Sequence, residues 1–195
     1  MPDYCISRAR INDLSDKQLI RTIIETFWPA RVMSDAEELR HLASGTPGQR
    51  AVYAVQLFFD ETAGGGLQQF FFNSSGLLAG EVYQGLARLG LEKTRRLFES
   101  AISYFPASEV PISRPERIRL LLKMSDSAFA RFAEWWPYPE TQDYPRRYGE
   151  LSRSLYRGEC QRFFESLNAR LSPGSGFYRL VRTYIDQHPR DFFFD

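Results

Sequence analysis

Gly64-Gly65-Gly66-Leu67-Gln68-Gln69-Phe70-Phe71-Phe72-Asn73-Ser74-Ser75-Gly76 is the stretch on which the reading of this chain turns. It reads as a glycine break, a turn of aromatic-rich helix and a polar stop. Glycine has no Cβ and takes either sign of φ, so three in a row allow a tight reversal. Phe70, Phe71 and Phe72 are large apolar rings that need burial, whereas Asn73, Ser74 and Ser75 end one helix and cap the next. The expected result is a buried switchback joining two core helices.

Working outward, apolar spacing of three and four residues recurs along the chain, which is the helical period. Ser15 opens a helix with the inner face Leu19, Ile20, Ile23, Ile24 and Phe27, and Ser34 opens a shorter one whose Asp35, Glu37 and Glu38 suit the positive end of its dipole. A third helix starts at Pro47 and runs to the glycine break. Beyond the motif, Val82, Tyr83, Leu86 and Ala87 mark one segment, stopped near Gly90, and Leu97, Phe98, Ala101, Ile102 and Phe105 form an amphipathic face, stopped at Pro106. Phe177, Leu180, Val181, Tyr184 and Ile185 mark the last helix, closed by Pro189. No run alternates strictly as a half-buried strand would. The fold expected is all-α: a single compact multi-helix domain over residues 1–195, with the Pro-rich stretch 106–115 as a minor seam.

Charge and composition narrow the function classes. The chain carries 25 Lys plus Arg against 24 Asp plus Glu, a net charge of +1. A nucleic-acid binder usually has a basic excess and an imitator of DNA a large acidic one. Between Arg88 and Lys123, however, eight basic residues face four acidic ones, so a weak nucleic-acid groove over 88–123 is one alternative to a solvated helix face. No N-terminal leader pattern and no apolar stretch long enough to span a bilayer is present, so the expected location is the cytoplasm. Cys5 and Cys160 are the only cysteines, too few for a disulfide scaffold or a four-thiolate metal site. Cys160 reads as a small buried hydrophobe.

Candidates for chemistry are sparse. His41 reads as part of a solvated, charged helix face, and His188 as the cationic end of the last helix. Asp60 and Glu61 are adjacent, and neighbours on a helix diverge by about 100 degrees, which suits no shared ligand. The glycine run is preceded by no strand and followed by no Gly-Lys-Ser/Thr, so it is no phosphate loop. Gln69 and Asn73 stand one helical turn apart, where their amides tie down loop backbone or present a polar contact to a partner. Trp135, Trp136 and Tyr138 form an aromatic cluster that either fills core or anchors a partner. Phe192, Phe193 and Phe194 read as a tether for the tail. No catalytic residue, metal site or cofactor is expected.

The segment Gly65–Gly76 resembles the Gly-Gly-Phe-x-Gln-Phe/Tyr-Phe-x-Asn-Ser-Ser-Gly core of the DNA-mimic protein nineteen family of bacterial proteins. Gly85-Leu86-Ala87-Arg88-Leu89-Gly90 is similar to that family's continuation, and Tyr184–Phe193 to its closing pattern. The resemblance is clear over residues 50–105. This chain has Gly64 and Leu67 where the family often has Asn and Phe. The resemblance implies a helical fold, dimerisation, and occupation of the DNA-binding surface of a transcriptional regulator. It implies a role for Gly65, Gly66, Gln69, Phe71, Asn73, Ser74 and Gly76 in the fold or in partner contact.

The function expected is therefore a non-catalytic protein-interaction module whose partner is another protein, with a homodimer as a further arrangement. An uncharacterised enzyme or small-ligand binder with its polar site at Gln69 and Asn73 is the alternative from a different class.

Overall fold

Both helix starts read from serines are reciprocal caps. Ser15 Oγ accepts from the Gln18 amide while Gln18 Oε1 accepts from the Ser15 amide at 3.0 Å. Ser34 and Glu37 repeat the arrangement, with the Ser34 amide donating to Glu37 Oε2 at 2.9 Å. Each box gives partners to backbone donors that a helix start leaves orphaned.

The computed structural model describes residues 6–7, 13–28, 34–103, 105–124 and 176–194. Its helices are α1 (Asp16–Phe27), α2 (Asp35–Ser44), α3 (Pro47–Phe72), α4 (Ala79–Arg88), α5 (Glu92–Ile102), α6 (Arg114–Met124) and α7 (Phe177–Gln187). Short 3-10 turns lie at Ser74–Leu78, Pro106–Ser108 and Pro189–Asp191. Extended structure among these residues amounts to β1 (Ile6–Ser7) and β2 (Phe193–Phe194), paired in parallel with Ile6 opposite Phe193. The fold is all-α, as the periodicity predicts.

The chain forms two compact units. The first comprises Met1–Phe59, Glu81–Arg95 and Pro173–Asp195, and the second Asp60–Gly80 and Arg96–Ser172. The Pro-rich stretch 106–115 lies within the second.

In the first unit α1 packs on α7. Leu19, Ile20, Ile23 and Phe27 from α1 and Phe177, Val181, Tyr184 and Ile185 from α7 are buried. The first half of α3 supplies Val52, Val55, Phe58 and Phe59, and the Phe59 ring meets Phe177 edge-on at 4.8 Å. The tail is tied in by three means. Thr46 Oγ1 donates to the Asp191 carbonyl at 2.7 Å, Phe192 is buried, and the Ile6 amide donates to the Phe192 carbonyl at 3.0 Å. The tether reading therefore holds at Phe192, in the core, with Phe193 and Phe194 beside it in the strand pair.

Among the described residues of the second unit, Phe70, Phe71, Phe98 and Phe105 form a buried aromatic cluster. Phe71 stacks on Phe98 at 5.9 Å and meets Phe105 edge-on at 5.0 Å. These are geometries in which the positive edge of one ring approaches the negative face of another or the rings offset.

The expected glycine break takes the form of a bend. Helical assignment runs through Gly64–Gly66 without an end, but Gly66 has φ 74, in the left-handed region. A residue with a Cβ resists that conformation, and a helix cannot pass through it without changing direction.

Candidate functional site

The polar side chains of the motif meet on one carboxylate. Glu61 Oε2 accepts from Gln69 Nε2 at 2.7 Å and from Asn73 Nδ2 at 2.9 Å. Its Oε1 faces Ser75 Oγ at 3.2 Å, and that hydroxyl's single proton is shared with the Phe70 carbonyl, also at 3.2 Å. Hydrogen bonds to an ionised acceptor are roughly twice as strong as neutral ones, so this is a firm polar junction. Glu61, Gln69 and Asn73 are half-buried, and Ser75 is buried.

The junction also measures the bend. In a straight helix the Cα atoms of Glu61 and Asn73 would be about 18 Å apart. An extended Glu side chain, an Asn side chain and a hydrogen bond together span only roughly 11–12 Å. The observed contact therefore requires the chain to fold back between them, and Gly66 is where it does so.

A second device holds the far end of α3. The last carbonyls of a helix have no partners within it and carry the negative end of the dipole. Here α6 supplies two arginines. Arg114 Nε donates to the Phe72 carbonyl at 3.0 Å. Arg117, with no exposed surface, donates from Nε to Phe71 O at 3.1 Å and from Nη2 to Asn73 O at 2.9 Å and Ser74 O at 3.4 Å. Its Nη1 donates to Pro111 O at 2.8 Å and to Ile112 O. A guanidinium has five N–H groups, and each finds a backbone carbonyl. Gly76 is required by this packing, because a Cβ there would lie 2.6 Å from Arg117 Nε and 2.9 Å from the Phe71 carbonyl.

The sequence-predicted motif residues thus sit as follows. Gly65 lies in the bend and Gly66 at its left-handed residue, while Phe71 is core with no exposed surface. Gln69 and Asn73 point at Glu61, Ser74 is exposed with its carbonyl on Arg117, and Gly76 is packed under the guanidinium. Trp135, Trp136, Tyr138 and Cys160 lie outside the described residues. Sequence reasoning missed Glu61, which was set aside as half of an adjacent acid pair, and Arg117, which was counted as surface charge. The signal for Arg117 was indirect: a helix ending in three phenylalanines offers no donor for its own last carbonyls.

Of the basic stretch 88–123, Arg114 and Arg117 face backbone carbonyls, and Arg95 is occupied by Glu92 at 2.7 Å and by the Tyr83 hydroxyl. Lys93, Arg96 and Arg119 are exposed. His41 differs from the solvated face expected of it. It is half-buried, its Nε2 lies 2.6 Å from the Phe27 carbonyl, and its ring stacks on Phe27 at 5.2 Å. The Phe27 carbonyl, in the last turn of α1 where no helical partner remains, meets the imidazole there. His188 ends α7 with its ring 4.4 Å from that of Tyr184.

Among the described residues no group of three or more His, Cys, Asp or Glu could hold a metal ion, and no helix is long and apolar enough to cross a membrane. A family model described as DMP19-like protein matches residues 43–188. No curated protein and no solved structure matches the chain.

Proposed function

This chain belongs to the DMP19-like protein family, and on that footing we propose that it is a non-catalytic protein-interaction module that modulates a DNA-binding regulator through a charged surface. The observation that carries the reading is the inward engagement of the motif. Gln69 and Asn73 donate to Glu61, Ser75 shares its proton between Glu61 and the Phe70 carbonyl, and Arg117 gives its five donors to backbone. Such residues build a rigid turn, and a rigid helical body suits binding by surface complementarity.

Near-balanced charge argues for a local patch in place of a face of carboxylates spaced like phosphates. The inward direction of Arg114 and Arg117 favours a protein partner over nucleic acid along 88–123. The test is affinity capture of the tagged chain from native lysate at low and moderate salt. A stoichiometric DNA-binding regulator that is lost as salt rises is the expected catch, because exposed charge pairs are screened within about 10 Å at 0.1 M salt. A bait that retains no partner at either salt overturns the reading and moves attention to a small ligand near Gln69 and Asn73.

A further inference from the structure

We draw no further inference here: the strongest candidate, the surface turn at 106–112 in the second unit, where Ala107 and Ser108 hold left-handed backbone and Ile112 is 58% exposed, carries nothing because nothing in the structure shows what covers it.

Discussion

At the scale of single residues, Arg117 is the position at which charge, burial and hydrogen bonding are most tightly joined. A fully buried cation ordinarily costs several kcal/mol in lost hydration. Here five carbonyls replace that hydration, three of them at the C-terminal end of α3 where the local dipole is negative. Substitution leaves those carbonyls without donors. Arg117→Ala should lose about 3–5 kcal/mol in a urea melt, the range seen when a buried charged network is broken. Arg117→Lys should recover only part of it, since an ammonium has three donors and no planar fork. Equal stability of the Lys variant and the parent would show that positive charge alone, and not the five-fold geometry, holds the turn.

Single helices were the most legible part of this sequence, and the reasons are local. Ser15 with Gln18 and Ser34 with Glu37 announce helix starts because the capping partners are three residues apart. The path of α3 was only half legible. Its glycines advertise freedom of conformation, but they do not say whether the helix stops or bends. The bend shows itself in the contact of Asn73 with Glu61, twelve residues earlier, and a contact at such separation is invisible to periodicity. Gly66 tests the point at the scale of the element. Gly66→Ala meets the left-handed φ of 74 with a Cβ and should cost about 1–2 kcal/mol. Gly76→Ala, blocked by Arg117 Nε and two carbonyls, should also destabilise, by about 1–3 kcal/mol as overpacking does. Thermal melts of the two variants beside the parent check both. An unchanged melting temperature for Gly66→Ala would place the bend at another residue.

Across the whole molecule, the aromatic residues divide into local cores that respond to different perturbations. In the second unit Phe71 has no exposed surface and touches Phe70, Phe98 and Phe105, so Phe71→Ala should lose about 3–5 kcal/mol in urea. A loss below about 1 kcal/mol would contradict its burial. In the first unit Tyr53 lies stacked on Trp28 at 4.1 Å, and burial first, then the nearby Glu38 carboxylate, pushes its hydroxyl far above the ordinary 10.0. The folded state thus keeps a proton that the unfolded chain releases near that value. Stability from this group is complete below about pH 10 and falls as pH rises further, by up to about 1.4 kcal/mol per pH unit. Tyr184, also raised by burial with Arg88 opposing, adds a loss of the same sign. Urea midpoints followed by Trp fluorescence on either side of pH 10 should therefore drop steeply for the parent and less steeply for Tyr53→Phe, which retains the Tyr184 contribution. Identical slopes for the two chains would mean that Tyr53 ionises within the folded state and that the stack on Trp28 does not exclude its charge.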